Sequence, residues 1–335
     1  MKILVTGGTG FLGGHIVERL RRAGEEVSVL VRNPSKAERL KASGIEIRVG
    51  DLTDLDSLRT AVRGVDRVFH SAAHVSEWGS WSKFQSATVN GTINMLTAAT
   101  EAGVQRFLHV STATVYEDIH ARKLRVISEN APHGNQGDRA YGNYSKAKVL
   151  AEQAVWRFHK EEGLPITIIR PAWVYGPQDF TILPRLIEHL RGPFSCWIGR
   201  RNPVVDPIYV TDVAECAYLA AYSEQALGKA YNVSPDIEIR LREFLTTLCK
   251  ELEVEAPRWS LPYSIALLAT VLCEFWAQLT RSTEPPSLTY AGLATFTVDQ
   301  HYDPSRAIKE LGWQPQVSLA QGAKNTAAWL QDQLN

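Results

Sequence analysis

Tyr144 and Lys148 stand four residues apart in Tyr144-Ser145-Lys146-Ala147-Lys148, a spacing that puts both on one face of a helix. A phenol of pKa about 10 exchanges protons poorly near neutrality, and an ammonium beside it stabilises the phenolate and lowers that value. The pair therefore reads as an acid/base centre with Tyr144 as the exchanging group. Lys146 falls off that face, and the rival Tyr141 has Ser145 rather than a cation four residues on. Upstream, Leu108-His109-Val110 runs into Ser111 and Thr112, hydroxyls at the end of an apolar strand, where Thr112 is placed to hydrogen-bond a substrate oxygen.

A second group of residues suits a phosphate. Thr6-Gly7-Gly8-Thr9-Gly10-Phe11-Leu12-Gly13 sets Gly7, Gly10 and Gly13 three apart, between an apolar run, Ile3-Leu4-Val5, and a helical pattern through Ile16, Leu20 and Ala23. Glycines there permit a tight turn and close backbone approach, and the helix N-terminus offers free N–H groups to a pyrophosphate. Dinucleotide folds usually carry an acid on the ribose 2′-hydroxyl about 20 residues further on. Here Val29-Leu30-Val31 ends in Arg32-Asn33, with no carboxylate. The planar donor fork of Arg32 suits a phosphate instead, and one charge-assisted bond of about 1.5–3 kcal/mol favours NADP over NAD roughly ten- to a hundredfold.

The elements that position these groups follow from periodicity. Val27–Val31, Ile45–Val49, Val68–His70, Phe107–Val110 and Ile166–Ile169 read as strands after the first, and Leu55–Arg63, Val89–Ala102 and Lys146–Glu161 carry helical spacing between them. Such alternation implies βαβ units and a Rossmann-type, doubly wound parallel sheet of the α/β class, buried on both faces. After Pro177 the pattern loosens into a region rich in proline and aromatic residues. The expected division is a dinucleotide-binding core over residues 1–176 and a smaller, discontinuous, mainly substrate-binding region over 177–335, with Tyr209–Val213 and its neighbours returning to the core.

Composition limits the partners. Lys plus Arg and Asp plus Glu both total 36, so no global field draws in nucleic acid. Cys196, Cys216, Cys249 and Cys273 form no CxxC pair of the zinc or redox kind, and no metal site is expected. The opening Met1-Lys2-Ile3-Leu4-Val5 is too short for a signal-peptide core, which supports a cytoplasmic location. The apolar stretch Ile265 to Cys273 ends at Glu274, well short of the ~20 residues a spanning helix needs. Contact with a membrane surface through Leu261 to Leu279 stays open beside a core helix.

Taken together, the glycine turn, Ser111-Thr112 and Tyr144/Lys148 occur in the order and spacing of the extended short-chain dehydrogenase/reductases, the NAD(P)-dependent epimerase/dehydratase family, which this chain resembles from Met1 nearly to Asn335. Further matches are Gly50-Asp51-Leu52, Ala72-Ala73, Asn90-Gly91-Thr92, Arg170-Pro171, Val174-Tyr175-Gly176-Pro177, Tyr209-Val210-Thr211-Asp212-Val213, and the closing Leu311-Gly312-Trp313-Gln314-Pro315. The resemblance implies hydride transfer at the nicotinamide, with Tyr144 as acid/base, Thr112 on the reacting oxygen and Lys148 on the cofactor ribose. It also implies cofactor contacts at Gly7, Thr9, Gly10, Phe11, Leu12, Gly13, Arg32, Asp51, Leu52, Ala72, Ala73 and Pro171, and a homodimer face on the helix carrying Tyr144.

Within that family, nucleotide-sugar epimerases carry an arginine four residues before the aromatic residue of the Tyr-Val-x-Asp motif. Here the position is Val205, although Arg200 and Arg201 are near in sequence. Dehydratases follow the threonine with Asp-Glu, whereas Ala113-Thr114 follow Thr112. His74, Trp78 and Trp81, with Trp173, Phe180 and Trp197, are instead candidates for an apolar, aromatic pocket. Trp78-Gly79-Ser80, Gly228-Lys229-Ala230-Tyr231 and Cys273-Glu274 resemble the 2-alkyl-3-oxoalkanoate reductases and the 3β-hydroxysteroid dehydrogenase-like branch. The expected activity is an NADP(H)-dependent interconversion of a secondary alcohol and a ketone on a hydrophobic 3-keto acid or steroid-like substrate. The alternatives are a nucleotide-sugar epimerase and a non-catalytic cofactor-binding protein. Glu117, Asp118 and His120, between Thr112 and Tyr144, read as a solvated loop or a lid.

Overall fold

The computed structural model describes residues 1–76, 78–116, 126–134, 142–193, 195–280, 282 and 284–334; Glu117, Asp118, His120 and Tyr141 lie outside the described residues. Seven parallel strands form the central sheet: β1 (Lys2–Thr6), β2 (Glu26–Val31), β3 (Glu46–Val49), β4 (Arg67–His70), β5 (Arg106–Val110), β6 (Ile166–Pro171) and β7 (Lys229–Val233). They lie side by side in the order β7-β6-β5-β4-β1-β2-β3. The first six sit within a residue or two of the runs that their apolar residues mark. The seventh, Lys-Ala-Tyr-Asn-Val, has no apolar run and joins the sheet by pairing Lys229 with Thr167 through Val233 with Pro171.

Helices cover both faces, which is why β1, β4 and β5 are apolar on both sides. One face packs α1 (Phe11–Arg22) and α6 (Val210–Tyr222) through Ile16, Val17, Leu20, Val213 and Ala217. The other face packs α2 (Leu55–Ala61), α3 (Gly91–Glu101) and α4 (Gly142–Glu162) through Leu58, Met95, Leu96 and Val155. α4 begins before Lys146, so Tyr144 lies inside it. The chain enters α3 through a helical turn, Trp81–Phe84, and a stretch of wider π geometry, Gln85–Asn90, a form frequent near functional sites.

A third apolar cluster joins α5 (Leu183–Arg191), α7 (Leu241–Glu251) and α9 (Leu319–Leu334) around Leu186, Phe244, Leu248 and Ala323. Very short strands stitch it to the sheet: Trp173–Tyr175 pairs with Pro207–Tyr209, and Val126–Ile127 with His301–Tyr302. α8 (Tyr263–Leu279) buries only Ala266, Thr270 and Ala277. Its Ile265, Leu268, Leu272, Phe275, Trp276 and Leu279 are each more than half exposed. Among the described residues no helix is long and apolar enough to cross a membrane.

Candidate active site

β1 ends at Thr6 and the backbone turns at once at Gly7, whose φ of +74° suits glycine. Gly10 N–H donates to the Gly7 carbonyl at 2.9 Å and closes the turn. A Cβ on Gly13 would stand 2.1 Å from that same carbonyl oxygen, and one on Gly7 would stand 2.8 Å from Ala72 N. The turn is therefore pressed between the first turn of α1 and the end of β4. Ala72 N–H donates to Thr6 Oγ1 at 3.2 Å, which ties the two strand ends together. No side chain caps α1, whose N-cap is Gly10, so its first N–H groups are left to an anion. These features fit a dinucleotide pyrophosphate.

Arg32, exposed, follows directly on β2. Asp51, beyond β3, bonds Thr53 through its backbone N–H and hydroxyl, both at 2.8 Å. Those bonds, and the charge of Arg32, hold the Asp51 carboxyl below its ordinary range against partial burial. Arg32 and Asp51 thus lie near enough for the charge of one to act on the other, beyond the carboxyl ends of β2 and β3. Leu52 follows, and its carbonyl accepts from Asn94 Nδ2 at 2.8 Å.

Three strands away, α4 carries Tyr144, Lys148 and Glu152 at successive turns. Lys148 is buried and its Nζ donates to the carbonyl of Val110, the last residue of β5, at 2.6 Å. Burial pulls its amine down to about 8, and the charge of Glu152 works against that. Burial likewise pushes Tyr144 up to about 12, opposed by a hydrogen bond from Thr112. The expected lowering of the phenol by Lys148 is thus not found in this arrangement: desolvation is the larger effect, and the ammonium is bound to Val110. Thr112 Oγ1 also accepts from Thr114 N–H at 3.3 Å.

Glu152 was not anticipated from the sequence. It is fully buried and accepts from Ser111 Oγ at 2.5 Å, Trp156 Nε1 at 3.2 Å and the guanidinium of Arg170. His133 Nε2 lies 3.1 Å from the same carboxylate. Burial alone would raise Glu152, but His133 and the Arg170 charge hold it well below the usual carboxylate range. The readable signal was a glutamate one turn past the lysine with an arginine in the following strand.

The six aromatic candidates do not form one cluster. Trp81 and Tyr144 both pack against the buried cluster of Phe84, Val89 and Ala147, and Lys146 Nζ stands over the Trp81 ring at 4.5 Å. His74 meets the Phe84 ring edge-on at 4.7 Å, and Asn143 Nδ2 donates to the Gly79 carbonyl at 3.0 Å, so residues 74–81 are tied to the start of α4. Trp78 Nε1 reaches Ser282 O, just beyond α8, at 3.0 Å. Trp173 and Trp197 pack against the third cluster instead, Trp173 edge-on to Phe244 at 5.2 Å. Phe180 lies at the surface against Trp329.

Comparison with known proteins bears on the family and the fold. The sequence profile described as the NAD dependent epimerase/dehydratase family matches residues 3–234. The chain is similar to a 2-alkyl-3-oxoalkanoate reductase of Stenotrophomonas maltophilia, 32% identical over 98% of this chain and 99% of that one. It is similar to a 4-hydroxy-2-methyl-3-oxo-4-farnesyl-3,4-dihydroquinoline-1-oxide ketoreductase of Stigmatella aurantiaca, 30% identical over 96% and 94%. Its fold matches the crystal structure of a UDP-glucose 4-epimerase of Thermotoga maritima with a TM-score of 0.77, 22% identity and full coverage of both chains.

The packing of the glycine turn has a direct test. Gly13→Ala forces a methyl group onto the Gly7 carbonyl, and dinucleotide affinity, read by calorimetry, is expected to fall at least about tenfold, or about 1.4 kcal/mol.

Proposed function

The chain belongs to the NAD dependent epimerase/dehydratase family of NAD(P)-dependent oxidoreductases, and from that premise we propose that it interconverts a ketone and a secondary alcohol on a hydrophobic substrate, using NADP(H). The observation that carries this reading is the convergence of Tyr144, Thr112 and Lys148 at the carboxyl end of β5, with Tyr144 packed against an apolar cluster that Trp81 shares. The residues holding the cofactor would be Gly7, Thr9, Gly10, Phe11, Leu12 and Gly13 at the pyrophosphate, Arg32 at a ribose 2′-phosphate, Asp51 and Leu52 at the adenosine, and Ala72, Ala73, Lys148 and Pro171 towards the nicotinamide. When bound, the nicotinamide supplies a hydride to the carbonyl carbon, or accepts one from the carbinol.

The chain's own groups do the rest. Thr112 orients the carbonyl oxygen by a hydrogen bond. Tyr144 gives that oxygen its proton as negative charge develops there, and takes it back in the oxidative direction. With its pKa raised by burial, the phenol holds its proton securely before reaction, and the Lys148 ammonium stabilises the phenolate left afterwards. Trp81, packed on the same apolar cluster as Tyr144, and His74, edge-on to Phe84 of that cluster, are the residues placed to limit water at the reacting oxygen.

The substrate class is supported by the relatives' names, which specify a 3-oxo acid in one case and a 3-oxo ring bearing a farnesyl chain in the other. A 2-alkyl-3-oxo acid or a hydrophobic ring ketone, steroid-like included, suits the apolar cluster against which Tyr144 packs. An epimerase reading has less support: Val205 is buried, and Arg201 donates to Asp299 Oδ2 at 2.7 Å. The exposed apolar face of α8, with Trp276 on it and the helix's one charged residue, Glu274, half-buried and accepting from Tyr290 N–H, supports peripheral contact with a lipid surface holding such substrates.

Tyr144→Phe is expected to lower ketone reduction by about 10²–10⁴-fold while NADPH still binds; undiminished turnover would overturn the mechanism. Arg32→Ala is expected to reduce the preference for NADPH over NADH roughly ten- to a hundredfold in kcat/KM; an unchanged ratio would remove Arg32 from cofactor selection. Replacing Leu272, Phe275 and Trp276 by serine is expected to abolish co-sedimentation with phosphatidylcholine liposomes; a wild-type protein left wholly in the supernatant would refute the membrane contact.

A further inference from the structure

Glu152 raises a question that the acid/base assignment leaves open. Its carboxylate is removed from water and saturated with donors from four places: Ser111 after β5, Arg170 in β6, His133, and Trp156 on its own helix. Arg170 is held in turn by the Tyr116 hydroxyl, to which its Nη1 donates at 2.8 Å, and by the Glu129 carbonyl at 3.1 Å. A buried ion pair of this kind adds little net stability, because desolvating both charges offsets their attraction, and an apolar pair could fill the same space. An apolar pair could not supply an anion one helical turn from Lys148.

Lys148 needs one. The groups that face it are the Val110 carbonyl and His109 from β5, His70 from β4, and Tyr144 and Glu152 from α4. His109 and His70 stack at 5.6 Å between ring centres and are both fully buried. His70 is spanned by Thr6 at 2.8 Å and Thr92 at 3.0 Å. Burial, reinforced by the Lys148 charge, pulls His70 down to about 3 and His109 well below its ordinary value, so both rings are neutral. Tyr144 is neutral in its resting form. Glu152 is the fixed anion among these neighbours, and it is also bonded to the residue that precedes Thr112.

We propose that Glu152 is a positioning residue of the acid/base site: its permanent negative charge keeps the Lys148 amine protonated, and its bond from Ser111 fixes the strand end that presents Thr112. Glu152 carries no proton itself, because its donors hold it ionised throughout the working range. The inference rests on the assignment of Tyr144, Thr112 and Lys148 made above. It also gives a sign: Lys148 is charged below about 8 and neutral above, so activity that depends on the ammonium falls as pH rises through that value.

The test compares the pH profile of kcat for NADPH-dependent ketone reduction in wild type, Glu152→Gln and Glu152→Asp, with folding checked by thermal melting. Glutamine keeps the shape and loses the charge; aspartate does the reverse. The expected result is that the alkaline limb of the Gln variant moves down by about one pH unit or more, with ketone KM changed by less than about twofold, and that Asp restores the limb towards wild type. A Gln variant that matches wild type while Asp is worse would assign Glu152 to packing alone and overturn the proposal. If the Gln variant fails to fold, or no ketone is reduced, the wild-type amine is titrated by NMR with ¹⁵N-labelled lysine, Lys148 being identified by its loss in Lys148→Arg. An amine charged at pH 7 supports the proposal, and a neutral one refutes it. Absence of ketone reduction with a charged Lys148 would count against the assigned reaction and not against the role of Glu152.

Discussion

A lysine amine shut away from water at the carboxyl end of β5 is the constraint around which the rest of this structure is arranged. Burying an ammonium is costly unless it is hydrogen-bonded and paired, and a group left without compensation gives up its proton instead. Here the compensation is partial: the Val110 carbonyl takes one donor, Glu152 supplies charge at a distance of one helical turn, and the amine still sits lower than a surface lysine. Three elements must keep their places for this to hold. β5 must end where it does, α4 must lie against it in the register that points Tyr144, Lys148 and Glu152 at its end, and β6 must bring Arg170 to keep the carboxylate ionised.

The parallel sheet satisfies these requirements and the cofactor's together. Its strand order reverses between β1 and β4, and in such sheets the crevice outside the carboxyl ends at the reversal is where ligands settle. Gly7, the first residue past β1, and Ala72, the second past β4, approach so closely that no Cβ fits on Gly7. Thr6 and His70 join the same two strands beneath it. The glycine turn and α4 are therefore held by β1, β4 and β5, three consecutive strands of one layer.

Much of this was legible from residue types because it is periodic or local. The apolar runs of β1 to β6, the glycine spacing and the i, i+4 pair each need only a short window of sequence. The charge rule for Tyr144 was incomplete for a physical reason: it considered the neighbouring cation and not the desolvation of the phenol, and burial proved larger. Glu152 escaped notice because a glutamate on a helix is ordinarily solvated, and its partners Ser111, His133 and Arg170 are scattered along the chain. The C-terminal region was less legible still. Its strands are two or three residues long and pair segments as distant as Val126–Ile127 and His301–Tyr302. Phe180, Trp173 and Trp197 show the consequence: aromatic residues mark apolar contacts, but not which ones, and these three pack away from the residues that line Tyr144.

The central claim is that this site carries out net transfer of a hydride to a hydrophobic ketone, with the proton coming from the chain. The most direct measurement uses NADPH deuterated at the transferring position of C4, a panel of 2-alkyl-3-oxo acids and ring ketones, and mass analysis of the products. One deuterium per alcohol formed, on the carbinol carbon, with an equal amount of NADP produced, is the expected result. Bound NADPH with no deuterium transferred to any ketone, together with epimerisation of a sugar nucleotide without net cofactor turnover, would contradict it.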